Sequence, residues 1–220
     1  MDKDRIVERI TRAGERIAST ITPFGVAGYE LPAGLGYDPT EARRLLAEAG
    51  FADGRGFPTL RYLFNSNKQN EQIGVELQQM WKRELGIDVQ LRQQEWKVYL
   101  DSQSRLDYDL SRSSWVGDYN DPNTFLDVFM SQNGNNRTGW KSELYDRLLR
   151  EANAEIDPSK RSALLQKAEI LLVREEVPIV PLYFFSGVNF YDSTKIEGIY
   201  NNIIDEHPIY AIRRKGNVPR

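Results

Sequence analysis

The chain has 220 residues, enough for one sizeable hydrophobic core or one large lobe of a bigger molecule. Charged residues make up 28% and the formal net charge is −3, so there is no basic footprint for nucleic acid, and "RRK" at 213–215 is too short to make one. The absence of cysteine excludes disulfides, thiolate catalysis and zinc–sulfur sites, and no apolar run is long enough to insert into a membrane.

The opening stretch, "MDKDRIVERITRAGERIAST", is charged and amphipathic, with Ile6, Val7, Ile10 and Ile17 near one face. It carries no apolar export-signal core and predicts a helix that begins inside a domain, with Asp2 as N-cap. Residues 14–37 are punctuated by Gly and Pro and predict a long loop that binds something or lies against another domain. "YDPTEARRLLAEAG" is a helix with Asp38 as N-cap, Pro39 at its first position, Glu41 closing a capping-box-like pair and Gly50 as its stop. "TLRYLF" alternates as a strand, and the helix "NEQIGVELQQMWKREL" places Ile73, Leu77, Met80, Trp81 and Leu85 on one face. "IDVQL" is a strand with Ile87, Val89 and Leu91 inward, "EWKVYLDSQ" a short helix, and "LDYDLS" a third strand. That strand leads into "SRSSWVGDYNDPNTFLDVFM", an acidic and aromatic loop in which Asp121 and Pro122 start another helix. Helices are predicted over 142–154 and 158–174, the second with Asp157 as N-cap and Pro158 at its first position. "VPIVPLYFF" predicts a buried apolar strand, with prolines where a central strand would not accept them. The tail from Ser193 is polar and weakly patterned. Strands alternating with helices imply an α/β fold.

Enzyme signatures are sparse. There is no G-x-S-x-G elbow, no phosphate-binding loop and no G-x-G-x-x-G. The single histidine, His207, cannot build a two-histidine metal site and reads as a solvated loop residue. Asp118 and Asp121 could form a carboxylate pair for hydrolysis, but Asp121 has a structural task as a helix start. Asp118 has no such task. A carboxylate after a strand, beside Trp115 and Tyr119, suits a cationic group carried on an apolar body, because ligands bind outside the carboxyl ends of strands in open α/β sheets. A solvated aspartate flanked by core aromatics fits the same residues.

Eight segments in order give the chain a resemblance. "DKDRIVERITRAG", "YDPTEARRLLAEAGF", "LFNSN", "LQQMWKRELGIDVQLRQQEW", "SRSSWVGDYNDPNTFL", "NNRTGW", "YDRLLREA" and "AEILLVREEVPIVPLYFF" together resemble the second, C-terminal lobe of the family 5 solute-binding proteins of oligopeptide and dipeptide ABC importers. The resemblance implies an α/β lobe of a two-lobed periplasmic binding protein, a mixed sheet flanked by helices. Residues 1–192 would form the second lobe, and 193–220 a return segment packing on a first lobe.

The resemblance also implies a peptide ligand, ABC permease subunits as partners, a periplasmic or extracytoplasmic location, and neither a cofactor nor catalysis. On its motif Asp118 would bind the ligand's α-ammonium, Trp115 and Trp96 would face ligand side chains, and Tyr119 would flank the anchor. Arg112 would meet a short ligand's carboxylate. Asn65 would line the cleft from a strand end, and Asn70 would stand where some oligopeptide binders carry a histidine, which bears on preferred peptide length. Relatives that bind nickel, heme, opines or sugars leave a non-peptide solute as the alternative. Full members are more than twice this length, so the chain is expected to be a fragment or a truncated product with one cleft wall, without first lobe, leader or lipid anchor, binding peptides weakly when alone. A nonfunctional remnant and, last, a carboxylate-dependent hydrolase complete the alternatives.

Overall fold

The computed structural model describes residues 1–202 and 205–216. Asp2 caps helix α1 (Lys3–Ile6) by accepting from the Arg5 amide, and the helix widens into a last turn over Val7–Thr11. There it stops, because Arg12 (φ 56°) and Gly14 (φ 86°) both turn left-handed. The predicted amphipathic face therefore does not reach Ile17, which lies instead in the short strand β1 (Arg16–Ile17) with its side chain largely exposed. Residues up to the next helix form the expected long loop.

Helix α2 (Pro39–Glu48) starts as its sequence dictates, with the Asp38 carboxylate accepting from the Glu41 amide at 2.9 Å. The reciprocal half of the capping box is missing, since the Glu41 carboxylate turns forward to Arg44.

The centre of the molecule is a run of β2 (Leu60–Asn65), α3 (Lys68–Leu85), β3 (Val89–Gln94), α4 (Trp96–Ser104) and β4 (Leu110–Ser111). Its strands make a parallel sheet in the order β3-β2-β4, with Leu60 to Asn65 in register with Val89 to Gln94, and Leu63 beside Ser111. Asn67 caps α3 and left-handed Gly86 ends it. Between them Ile73, Leu77 and Met80 bury against Tyr62, Phe64, Ile87 and Val89. Gly74 permits this approach, since a Cβ there would stand 3.2 Å from the Tyr62 ring. The third strand pairs over far fewer residues than "LDYDLS" suggests. Asp107 and Asp109 are taken by Arg61 and Arg92, and Asp109 accepts from both the Arg61 amide and its guanidinium, so the segment enters the sheet late.

A second core is helical. It is formed by α5 (Asn123–Leu126), the 3₁₀ turn Asp127–Phe129 that continues it, α6 (Glu143–Ala154), and α7 (Pro158–Ile170) with a wide final turn Leu171–Glu175. Leu126, Tyr145, Leu149, Leu165 and Leu172 fill it, and Tyr29 reaches in from the long loop. Among these apolar groups sits Glu169, fully buried. Its Oε1 accepts from the Ile21 and Thr22 amides at 2.9 and 2.8 Å, and its Oε2 accepts from the Tyr29 hydroxyl at 2.9 Å. Burial pushes this carboxyl upward, against the three donors that favour its charge.

"VPIVPLYFF" is not a buried strand. Pro178 and Pro181 remove two amide donors, and pairing shrinks to β5 (Tyr183–Phe184), antiparallel to β1, with Val180 and Phe185 facing solvent. The chain ends in a small antiparallel pair, β6 (Ile196–Glu197) with β7 (Arg213–Arg214). Parallel and antiparallel pairings thus occupy separate sheets, each flanked by helix or loop. Of the expected segment 193–220, residues 203, 204 and 217–220 lie outside the described residues.

Candidate functional site

Three of the sequence-predicted residues stand at the carboxyl ends of the three parallel strands. Asn65 is the last residue of β2, Trp96 follows the end of β3 by two residues, and Arg112 directly follows β4. The sheet register makes their backbones neighbours, because Asn65 pairs with Gln94 and Leu63 with Ser111. This is the edge where an open parallel sheet leaves room for a ligand.

Each of the three is supported from beneath. Asn65 accepts from the Asn70 side-chain amide through both its carbonyl (3.3 Å) and its Oδ1 (3.0 Å). Asn70 itself is 4% exposed in the first turn of α3, so it braces the strand-end loop from inside the fold rather than standing in that loop. Trp96 opens α4 behind its cap Glu95 and stacks on Tyr99, with ring centroids 5.5 Å apart, while more than half of its own surface faces solvent. The Arg112 amide donates to the Leu63 carbonyl at 2.8 Å, and its carbonyl accepts from the Tyr99 hydroxyl and the Gln103 side chain. Its guanidinium lies beside Tyr62, Tyr99 and Tyr183. Burial pushes all three phenols up, and the arginine opposes that shift.

The loop leaving β4 carries the rest. The Trp115 indole donates to the Thr124 carbonyl at 2.8 Å, and its ring packs against the helical core. The Asp118 amide donates to the Thr124 Oγ1 at 2.9 Å. Between them Gly117 is buried, where a Cβ would lie 2.7 Å from the Phe125 ring. Asn120 accepts from the Ala27 amide through Oδ1, and Asp121 accepts from the Asn123 amide. Asp121 also receives a two-pronged ion pair from Arg161 on α7, both contacts at 2.8 Å. Its role is therefore a turn and a tie to α7 rather than the expected helix cap, since Pro122 takes the cap position and α5 begins at Asn123. Burial favours the neutral acid, but Arg161 and the Asn123 amide outweigh it and hold the carboxyl below its usual range. A carboxylate so held is a poor proton donor near neutrality, and both of its oxygens are already occupied by Arg161.

With the backbone held, the Asp118 carboxylate and the Tyr119 ring point outward into solvent. Among the described residues neither Asp118 nor Arg112 takes part in a salt bridge. A second carboxylate stands close by. Asp127 is half-buried, and burial first, then the charge of Asp118, pushes its carboxyl up. The site thus presents uncompensated negative charge on one loop, an arginine among phenols at the loop's origin, and an exposed indole. The chemistry of such a surface suits zwitterionic or cationic molecules with apolar bodies. Among the described residues there is no cluster of three or more His, Asp or Glu side chains that could hold a metal ion.

Sequence reading missed Thr124, Gly117, Asp127 and the Asp121–Arg161 tie. Nothing local marks Thr124 or Arg161, since both act on a loop separated from them by a turn or by 40 residues of chain.

Comparison with known proteins gives this geometry a context. A family model described as "Bacterial extracellular solute-binding proteins, family 5 Middle" matches residues 1–137. The oligopeptide-binding protein OppA of Bacillus subtilis is 34% identical over 195 residues, covering 84% of this chain and 35% of that protein. The periplasmic murein peptide-binding protein MppA of Escherichia coli is 33% identical over 194 residues, 85% of this chain and 36% of that protein. A solved structure of the E. coli murein tripeptide binding protein superposes with a TM-score of 0.86 at 31% identity, covering 97% of this chain and 43% of that one. A periplasmic oligopeptide-binding protein of Borrelia burgdorferi gives 0.84 at 31%, again over 97% of this chain and 43% of the other. The fold is that of the periplasmic binding proteins, and the chain spans about a third of the length of the curated relatives it matches. Sequence and structure agree that this chain belongs to the bacterial extracellular solute-binding proteins of family 5.

Proposed function

We propose that these residues form one wall of a peptide-binding cleft in the receptor of an ABC importer. The observation that carries the reading is Asp118. It is an exposed carboxylate on an immobilised loop at the ligand-binding side of the parallel sheet. In this role it receives the α-ammonium of the peptide, with Tyr119 flanking it and Trp115 and Trp96 facing ligand side chains. Arg112 receives the carboxylate of a short peptide, and Asn65, braced by Asn70, lines the strand-end side. A fixed charge partner for the peptide terminus sets the register, and loose, hydrated side-chain pockets then tolerate many sequences.

Relatives support a peptide ligand. Besides OppA and MppA, a dipeptide-binding protein DppE of B. subtilis is 32% identical over 226 residues. A solved OppA of Haemophilus influenzae is in complex with the peptide RPPGFSPFR. Residues 1–192 would form the second lobe of the receptor and 193–220 a segment returning to a first lobe, which suits the exposed Ile209 and Tyr210. The protein would work outside the cytoplasmic membrane with permease subunits as partners, as a binder rather than an enzyme. No helix among the described residues is long and apolar enough to cross a membrane.

A second reading rests on one relative. A probable deoxycholate-binding periplasmic protein of E. coli is 35% identical over 173 residues. An anionic steroid would use Arg112 and Trp96 and have no need of Asp118.

The test is a titration of the chain, followed by NMR to reach millimolar affinities, with trialanine, N-acetyl-trialanine and deoxycholate. Peptide reading and anchor role predict tighter binding of trialanine than of its acetylated form, and loss of that preference in Asp118→Asn. Binding of deoxycholate alone, insensitive to Asp118→Asn, would replace the first reading by the second.

A further inference from the structure

We infer that Thr124 is the positioning residue of the ligand anchor: its hydroxyl oxygen fixes the Asp118 backbone and so aims the carboxylate. This rests on the reading of Asp118 as an ammonium partner and adds the residue that makes the anchor rigid. Thr124 is 2% exposed, on the first turn of α5, and touches the loop twice. Its carbonyl accepts from the Trp115 indole at 2.8 Å and its Oγ1 accepts from the Asp118 amide at 2.9 Å. The two contacts bracket residues 115–118 like the legs of a staple.

Gly117 closes the space between the legs. A Cβ there would meet the Thr124 methyl at 3.0 Å and the Phe125 ring at 2.7 Å, so the loop lies flat on this helix start. The outer shoulder is held independently by Asn120 on the Ala27 amide and by Asp121 on Arg161. With both shoulders fixed, the Asp118 backbone is ordered before any ligand arrives, which limits where its carboxylate can go. An ion pair with a ligand gains most when its partner needs no reordering, because the entropy of ordering is then already spent. The Oγ1 contact is the only one of these bonds made by the anchor residue itself.

Two substitutions separate the hydroxyl from the packing. Thr124→Val keeps the methyl that meets Gly117 and removes the acceptor, whereas Thr124→Ser keeps the acceptor and removes the methyl. In the 220-residue chain, Thr124→Val is expected to speed hydrogen exchange at the Asp118 amide by about fivefold or more, the scale of one lost hydrogen bond. It should also narrow the preference for trialanine over N-acetyl-trialanine by a similar factor while leaving affinity for the acetylated peptide unchanged. Thr124→Ser should restore both. A purely structural role would lower both affinities together.

If Asp118→Asn abolishes the preference and Thr124→Val does not narrow it, the anchor stands and the positioning role falls. If Asp118→Asn changes nothing, the anchor reading falls instead, and exchange at the Asp118 amide alone decides whether Thr124 holds the loop. Unchanged exchange in Thr124→Val overturns the inference in every case.

Discussion

The anchor loop and the C-terminal tail are made of similar material and behave differently. Both are irregular, aromatic and rich in Asp and Asn. In the loop, hydrogen bonds reach partners on other elements: the Trp115 indole and the Asp118 amide to Thr124, the Asn120 side chain to Ala27, the Asp121 side chain to Arg161. In the tail, counted here from Asn189, the polar contacts among the described residues stay within it, as Asp192 with Thr194, Asn202 with Glu206 and Asp205 with His207. Several of its apolar side chains are left outside, with Phe190, Ile209 and Tyr210 exposed by 94, 87 and 91%. Exposure therefore has two meanings in one molecule. An exposed group on a backbone tied to the core is a displayed group, and an exposed apolar group on a self-contained segment is a surface awaiting cover.

Six substitutions test that distinction, in descending size of effect. Glu169→Leu removes the acceptor of two buried amides and the Tyr29 hydroxyl beneath the segment that carries Ala27, and should cost about 4 kcal/mol by chemical denaturation. It should also loosen the anchor loop from below, seen as faster exchange near Asn120. Gly117→Ala forces a methyl into the Phe125 ring and should cost about 2 kcal/mol in the same assay.

Asp121→Asn should cost about 1 kcal/mol at neutral pH, as a partly exposed arginine pair and a turn bond are weakened. The sign of its pH dependence follows from the lowered folded pKa. The stabilisation is fully present above the ordinary carboxylate value and is lost as pH falls through the folded value. Wild type should therefore lose more stability than Asp121→Asn on acidification through that window, and equal losses would remove Arg161 from the account. Last, Phe190→Ser, Ile209→Ser and Tyr210→Ser should each shift stability by no more than about 0.5 kcal/mol. A loss of 2 kcal/mol or so at any of them would mean that the tail is already covered within this chain.

What was legible in the sequence is what local chemistry dictates. Asp2, Asp38 and Asp157 all cap their helices, and the apolar period of α3 with the short runs on either side yields the parallel sheet. The edge of that sheet then brings Asn65, Trp96 and Arg112 together. Asn70 shows a signal present but overlooked, since 70, 73, 74 and 77 share one buried helical face, which turns it inward. The missing parts depend on distant partners. Asp107 and Asp109 read as strand residues until Arg61 and Arg92 claim them, and nothing in the predicted helix 158–174 marks Glu169 as buried. Proline chemistry foretold the weakness of "VPIVPLYFF", but its apolar run suggested a longer strand than β5 provides.

The Glu169 cluster also has a consequence in time. Its bonds to Ile21 and Thr22 join residues 148 and 147 apart, and among the described residues β1 finds its strand partner at 183–184. During synthesis the segment around Ile21 must wait on the order of ten seconds for α7 to emerge. Through that interval its amides are satisfied by water and its neighbour Tyr29 has no core to enter. The helical core is thus the late-closing half of the molecule, while the parallel unit from β2 to β4 can assemble from contiguous chain. Agents that capture nascent chains should find the N-terminal loop accessible until the last helix is made.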